Sequence, residues 1–180
     1  MIYCFLAEGF EELEAIAPID LLKGAGVEVK TVGVGGKMIS GSHGITFDTD
    51  LTDCDILLSD NLSGVILPGG MPGTINLENN MNVQRAVDFC AENGKLLCAI
   101  CAAPSILGHK NLLEGKEAIS YPGFEKDLYG AEISKKSVVT SGNIITAKGA
   151  GVAVDFGLEI VAYLKGRDVS DKIREQIQCV

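Results

Sequence analysis

Short apolar runs that alternate with helical patterns constrain the fold of this chain more than any other feature of its sequence. Four runs rich in β-branched residues are predicted as strands: residues 1–7, 27–34, a run that ends near Leu67, and 95–100. Helical patterns lie between them, at about Glu11–Lys23 and Val83–Glu92. Continuous apolar strands separated by helices are typical of a parallel sheet that helices cover on both faces. The pattern therefore predicts an α/β sandwich.

The C-terminal third adds a hairpin and two helices to this pattern. In VVTSGNIITA, the turn-forming residues 141–143 separate two apolar strands, which favours a hairpin. Residues 151–166 are apolar on almost all sides and predict a buried helix that ends at Gly166, and a polar helix, VSDKIREQI, follows. Because no linker, repeat or low-complexity stretch interrupts the chain, we expect a single domain over residues 1–180.

Charge and composition argue against several classes of protein. The net charge of −9 repels a phosphate backbone, so a nucleic-acid partner is not expected. The longest apolar run, residues 96–107, is shorter than the ~20 residues that cross a bilayer, so no membrane partner is expected. The start, MIYCFLAEGF, has no basic leader or cleavage site, which indicates a cytoplasmic protein. With two histidines and no cluster at zinc-ligand spacing, no metal site is expected.

Three segments follow predicted strands and should meet at one edge of the sheet. They are AEGFEE after the first strand, LPGGMPG after Leu67, and ICAAPS after Ile100. Ligands of open α/β sheets collect at the carboxyl ends of the strands. We therefore expect the functional site where these three segments converge.

Cys101 lies in the third segment, between a strand that ends at Ile100 and a helix that starts near Pro104. Small neighbours suit a tight turn that projects one side chain, and a helix N-terminus favours a thiolate, so Cys101 is a candidate nucleophile. A buried core cysteine is an equally good interpretation of this segment alone. A redox pair with Cys98 is less well supported, because residues three apart in a strand point to opposite faces.

Glu14 is the candidate partner of Cys101. It lies early on the first helix, followed by apolar residues, although an exposed acid is the alternative interpretation. If it faces Cys101, a protonated Glu14 donates to the sulfur, lowers the pKa of the thiol and shuttles protons. The backbone N–H groups of Gly69, Gly70 and Ala102 are the candidate donors to a developing oxyanion.

Four segments together resemble the ThiJ/PfpI superfamily, within it the branch of the parkinsonism-associated deglycase. They are EGFEELEAIAPIDLL, VILPGGMPGTINL, AICAAPSIL and GNIITAKGAGVAVDFGLEIV, and the resemblance runs essentially end to end. It implies a flavodoxin-like three-layer sandwich, a homodimer and no cofactor. It also implies that Cys101 is the oxidation-prone nucleophile, that Glu14 is its carboxyl partner, and that Gly70 and Ala102 present N–H groups to the reacting atoms.

The chain departs from this pattern at three positions. One of them, Ala103, stands where relatives often have glycine, which is a mild change. Tyr121-Pro122 stands where relatives have His-Pro, and Tyr121 retains a hydroxyl that can bind a substrate oxygen. His43 stands where relatives have an arginine near the dimer contact, so it approaches the partner's site or is a solvated loop residue. A separate comparison concerns the protease branch of the superfamily, which has a histidine directly after the cysteine. Ala102 stands there in this chain, which argues against peptidase activity.

Two functions are consistent with these residues. The first is an enzyme that converts small reactive carbonyls, as a glyoxalase that needs no glutathione or as a deglycase, with Cys101 as nucleophile. The second is an oxidative-stress-responsive protein in which oxidation of Cys101 to a sulfinate regulates a chaperone or partner-binding role.

Overall fold

The structure, a computed structural model, describes residues 1–179. Its strands are β1 (Ile2–Leu6), β2 (Val29–Gly33), β3 (Met38–Ser40), β4 (Thr46–Asp48), β5 (Leu51–Thr52), β6 (Gly64–Leu67), β7 (Leu96–Ile100), β8 (Glu117–Ala118), β9 (Glu132–Ile133), β10 (Val138–Ser141) and β11 (Ile144–Ala147). Its α-helices are α1 (Glu12–Gly24), α2 (Gly73–Asn79), α3 (Met81–Glu92), α4 (Pro104–His109), α5 (Ala153–Lys165) and α6 (Arg167–Gln176).

Seven strands form the central sheet, in the order β10-β11-β7-β6-β1-β2-β5. Every neighbouring pair is parallel except β10 and β11, which form the predicted hairpin. The expected mostly parallel sheet is therefore confirmed. Its central strands, β1, β6 and β7, end side by side at the edge where the three candidate segments begin.

The two faces of the sheet are buried under different helices. Ile2, Cys4 and Leu6 of β1 pack in a cluster with residues of α1 and α5. The alternate residues Tyr3 and Phe5 pack on the other face with residues of α3 and α4. Because successive side chains of a strand point to opposite faces, an unbroken apolar run supplies both layers of core. This gives the predicted three-layer sandwich.

Helices α1 and α5 approach each other closely beside the site. A Cβ atom on Gly157 of α5 would lie 2.9 Å from the Cα atom of Pro18 in α1, so only glycine fits there. Pro18 has no N–H to donate to the carbonyl of Glu14, four residues earlier. The contact fixes the first turns of α1, and with them Glu14, against the core.

The elements at the C-terminus agree with the sequence, whereas two small sheets were not anticipated. Helix α5 ends before Gly166, whose φ of 95° stops the helix as expected. The unpredicted sheets are the antiparallel pair β3–β4 and the short parallel pair β8–β9. Within residues 1–179, no helix combines the length and the apolar character that crossing a membrane requires.

Candidate active site

The three predicted segments meet at the carboxyl edge of the sheet. The backbone N–H of Glu11 donates to the carbonyl of Gly69 at 2.9 Å, which joins the first segment to the second. A Cβ atom on Gly69 would lie 2.6 Å from the Cβ atom of Cys101, which brings the third segment against the second. The expected convergence is therefore present, and Gly69 lies at its centre.

Cys101 occupies the turn between β7 and α4 in a strained backbone conformation. Its φ is 64°, in the left-handed region that costs a residue with a Cβ atom about 1–2 kcal/mol. Two hydrogen bonds hold the turn: the N–H of Cys101 donates to Ala147 at 2.9 Å, and the N–H of Tyr121 donates to the carbonyl of Cys101 at 2.7 Å. The side chain is half-buried, so it is neither a fully enclosed core thiol nor a surface one.

The alternative redox pair is not supported by the geometry. Cys98 lies inside β7 with 1% of its surface exposed, and burial raises the pKa of its thiol. Across residues 1–179 every cysteine is a free thiol. Cys98 therefore belongs to the core.

Glu14 is a buried carboxyl group at the first turn of α1. It is 1% exposed, so the interpretation as an exposed acid is wrong. Its Oε2 atom accepts a hydrogen bond of 2.9 Å from the backbone N–H of Gly69, and a side-chain hydrogen bond links it to Cys101. Burial raises the pKa of Glu14 to about 7, although the hydrogen bonds from Cys101 and Gly69 lower it.

The Cys101 thiol does not have the lowered pKa that the sequence suggested. Burial is the largest cause of the rise of its pKa to about 12, and the negative charge of Glu14 adds to it. The backbone N–H groups of Gly70 and Ala102 hydrogen-bond the sulfur and oppose this rise. The side chains therefore compete for one proton, and the thiolate forms only when Glu14 holds that proton.

The predicted oxyanion donors divide into two groups. The backbone N–H groups of Gly70 and Ala102 lower the pKa of Cys101, and their role as oxyanion donors stays a prediction. The N–H of Gly69 is already donated to Glu14, so it is not available to a substrate. Gly69 is therefore better described as a residue that positions Glu14.

A hollow of about 330 Å³ lies beside the pair, and we refer to it as the Tyr121 hollow. It is lined by Tyr121, Pro122, Lys148, Gly149, Ala150, Gly151 and Val152. A Cβ atom on Gly149 would lie 3.3 Å from the Tyr121 ring and 3.9 Å from Oε1 of Glu14. The carboxyl group thus faces Gly69 with one oxygen and the floor of the hollow with the other.

His43 lies away from this hollow, on the turn between β3 and β4. Its Nδ1 atom is 2.9 Å from Oε2 of Glu12, and its backbone N–H donates to Oε1 of Glu12 at 2.8 Å. Glu12 is only 4% exposed, and the hydrogen bonds that it accepts from His43 and Ile45 hold its pKa down to about 2 despite partial burial. The hydrogen bonds of His43 therefore join α1 to the β3–β4 hairpin within the same chain.

Glu11, Glu12 and His43 also form the one trio within residues 1–179 whose side-chain atoms approach metal-ligand spacing. Both oxygens of Glu12 already accept hydrogen bonds from the hairpin residues, including the hydroxyl of Ser42. These hydrogen bonds are sufficient to explain why the three side chains lie close together.

Comparison with known proteins shows the family to which this chain belongs. The DJ-1/PfpI family profile matches residues 1–163. Protein dj-1beta of Drosophila melanogaster is 34% identical over 168 residues, which span 91% of this chain and 88% of that protein. A protein of Pyrococcus abyssi that is named a deglycase is 33% identical over 162 residues, which span 88% of this chain and 96% of that protein.

The fold agrees with solved structures as well. The structure of oxidized DJ-1 from Toxoplasma gondii superimposes with a TM-score of 0.93 at 27% identity, covering 98% of this chain and 97% of that chain.

Proposed function

The chain belongs to the DJ-1/PfpI family, and we propose that it is a cofactor-independent enzyme acting on small reactive carbonyls. Methylglyoxal is the proposed substrate for a glyoxalase reaction that yields lactate, and hydrolysis of glycated groups is the related deglycase reaction. A relative named a deglycase, 33% identical to this chain, supports this class of chemistry.

One observation carries the proposal: a buried carboxyl group lies against a half-buried thiol, next to the residues that line the Tyr121 hollow. The pKa of Glu14 is raised to about 7, which is the range in which a general acid and base works best at neutral pH. The N–H groups of Gly70 and Ala102 reach the sulfur and can reach an oxygen bound to the adjacent carbon.

The reaction begins when the proton of Cys101 passes to Glu14. The resulting thiolate adds to the aldehyde carbon of methylglyoxal and forms a carbon–sulfur bond. The aldehyde oxygen becomes an alkoxide, which accepts the proton of Glu14 to give a neutral hemithioacetal. Glu14 is then ionised and ready to act as a base.

The next steps move a proton between neighbouring carbons and release the product. Glu14 removes the proton on the former aldehyde carbon, and the electron pair forms a carbon–carbon double bond and leaves the negative charge on the ketone oxygen, as an enediolate. The hydroxyl proton of the hemithioacetal then moves to that oxygen. Return of the proton held by Glu14 to the neighbouring carbon produces a lactoyl thioester on Cys101. Water cleaves the carbon–sulfur bond, which releases lactate and restores the thiol. The sum is methylglyoxal plus water to lactate, with no outside oxidant.

Lactate production from methylglyoxal without added thiol tests the proposal. Cys101→Ser should remove the activity, whereas Cys54→Ser should retain it, because Cys54 is an exposed thiol that follows β5, outside the three segments that form the site. Unchanged turnover in Cys101→Ser would overturn the mechanism.

Regulation by oxidation is the second candidate, supported by the same half-buried thiol and carboxyl donor. Two equivalents of peroxide convert the thiol to a sulfinic acid, and a protonated Glu14 would donate to the sulfinate. A related protein, DJ-1 of Toxoplasma gondii, has been solved in an oxidized form. Addition of two oxygens at Cys101 under mild peroxide, without measurable carbonyl turnover, would favour this function over the enzyme.

We also propose that the chain forms a homodimer through the face where α1 meets the β3–β4 hairpin. Leu13 and Ile45 are 61% and 53% exposed there and line one shallow apolar depression together with His43. Burial of this face in a second copy would bring His43 close to the partner chain. Light scattering of the protein and of Leu13→Glu tests this: the variant should be monomeric, and a monomeric wild type would contradict it.

A further inference from the structure

Lys148 is a cation at the Tyr121 hollow that no sequence motif singled out. It follows β11 directly, and its backbone N–H donates to the carbonyl of Ser137 at 2.9 Å, which fixes where the side chain starts. Its side chain is exposed, and it is the one charged residue among those that line the hollow. Within residues 1–179, no ion pair joins Lys148 to a carboxylate.

The position of Lys148 bears on which substrates can enter the hollow, because the chain as a whole is acidic. The chain carries a net charge of −9. Glu14 reaches the floor of the hollow beside Gly149, and the charge of Glu11 is near enough to raise the pKa of Glu14. An anionic molecule would be repelled by these groups unless a cation met it at the entrance.

The hollow therefore offers two different ends to a substrate. The proposed reaction places the carbonyl on the Gly149 side of the hollow, behind which Oε1 of Glu14 lies. An ammonium group without a carboxylate partner lies among the lining residues, and the rest of the lining is neutral. A small molecule with a reactive carbonyl at one end and a negative charge at the other matches both ends.

We propose that Lys148 is a specificity residue that selects α-oxo aldehydes carrying an anionic substituent, either a carboxylate or a phosphate. This inference rests on the proposed carbonyl chemistry and narrows its substrate class. The ammonium attracts the anion without directional requirements, so arginine at this position retains the preference, whereas glutamine removes it and glutamate reverses it.

Matched reagents separate charge selection from catalysis. Iodoacetate and iodoacetamide alkylate the same sulfur and differ mainly in charge, so the ratio of their rates at Cys101 reports the charge preference of the site without any turnover. We expect Lys148→Gln to lower this ratio roughly three- to tenfold, the Coulomb effect of one charge several ångströms away in a partly hydrated site. Lys172→Gln, which removes an exposed lysine on α6, should leave the ratio unchanged.

Turnover provides the second readout, with 4-carboxyphenylglyoxal compared with phenylglyoxal and a phosphate-bearing α-oxo aldehyde as a further arm. The ratio of kcat/KM for the anionic to the neutral substrate should fall in Lys148→Gln and persist in Lys148→Arg. Equal ratios in wild type and Lys148→Gln, with turnover of both substrates, would overturn the inference and leave the proposed enzyme intact. A lowered alkylation ratio without turnover of any glyoxal would support the charge assignment and overturn the enzyme.

Discussion

The backbone N–H of Gly69 donates a hydrogen bond of 2.9 Å to Oε2 of Glu14, a carboxyl group of which only 1% is exposed. This bond fixes the carboxyl group from one side, while Cys101 meets it from another. Because the donor is a backbone group, in a turn between Pro68 and Gly70, no side-chain movement can release it. The position of the carboxyl group that exchanges a proton with Cys101 is therefore fixed before a substrate binds.

Glu14→Gln should separate proton transfer from thiol reactivity. Glutamine preserves the shape of the side chain and can accept from Gly69, but it cannot carry a proton between carbons, so turnover of methylglyoxal should fall by about 100-fold or more. Loss of the carboxylate charge also removes a cause of the raised pKa of Cys101, so alkylation by iodoacetamide at pH 7.5 should become faster. Kinetics of lactate formation and peptide mass after timed alkylation measure the two effects.

The matched control is Glu92→Gln, which removes one exposed carboxylate at the end of α3. It should change neither the turnover of methylglyoxal nor the rate at which Cys101 is alkylated. Slower alkylation in Glu14→Gln would mean that the carboxyl group stabilises the thiolate more than its charge opposes it, and the pair would have to be reassigned.

The raised pKa of Glu14 also predicts how stability depends on pH. Its folded-state pKa of about 7 lies above the ordinary value of 4.5, so the folded state binds this proton more tightly than the unfolded state. The resulting stabilisation is fully present below pH 4.5 and is lost as the pH rises through 7, an amount on the order of 3 kcal/mol. Urea unfolding of wild type and Glu14→Gln at pH 5 and pH 8 isolates it, because other titrating groups are common to both proteins. A stability difference that does not change with pH would contradict the assignment.

Gly69→Ala should displace the pair without touching either reactive atom. The new Cβ atom would lie 2.7 Å from Oε2 of Glu14 and 2.6 Å from the Cβ atom of Cys101, so one of them must shift. A displacement of about 1 Å can lower turnover by about 100-fold, and crowding of the core destabilises by about 1–3 kcal/mol. In the control Gly36→Ala the new atom meets nothing within 4 Å. Normal turnover in a folded Gly69→Ala protein would show that the pair tolerates displacement.

Much of the fold follows from the sequence because the decisive signals are local. The run of residues 2–6 is apolar without alternation, and only a strand covered on both faces buries all of it. The Gly-rich turns after Leu67 and the turn at Cys101 follow such strands directly, so their convergence at one edge was predictable. The β3–β4 pair, with three residues in each strand and little burial, carries no comparable pattern.

The rest of the site depends on contacts that local patterns do not contain. Glu12 has its donors about 30 residues away on the hairpin, so the helix pattern alone could not distinguish it from a solvated acid. The direction of the Cys101 pKa depends on how deeply the turn is buried and on the charge beside it. Lys148 is one lysine among many in the sequence, and only the fold places it at the hollow with Tyr121.

The hydrogen bonds between Glu12 and His43 should stabilise the hairpin, and we expect most of this stability to come from the charge of the Glu12 carboxylate. Glu12→Gln loses the charge to which His43 and Ser42 donate, and charge-assisted hydrogen bonds contribute about 1.5–3 kcal/mol each. Thermal unfolding at pH 7 should show a clear loss, with a smaller loss in His43→Ala, because the backbone N–H of His43 still donates to Glu12. The folded-state pKa of Glu12, about 2, lies below the ordinary 4.5, so its contribution persists above pH 4.5 and is lost as the pH falls toward 2. Equal losses in the two variants would mean that the imidazole, not the carboxylate, holds the hairpin.

Tyr121→Phe tests whether the hydroxyl group binds the substrate. The ring lies against Gly149 at the hollow and is 51% exposed, so removal of one oxygen should leave the melting temperature nearly unchanged. Loss of one hydrogen bond to a substrate oxygen should lower kcat/KM by about two- to tenfold, since such a bond contributes about 0.5–1.5 kcal/mol. The control is Tyr163→Phe, which makes the same change on a 45% exposed tyrosine of α5 that does not line the hollow. An unchanged kcat/KM in Tyr121→Phe would leave the ring as a wall of the hollow and the substrate oxygen bound by the backbone of Gly70 and Ala102 alone.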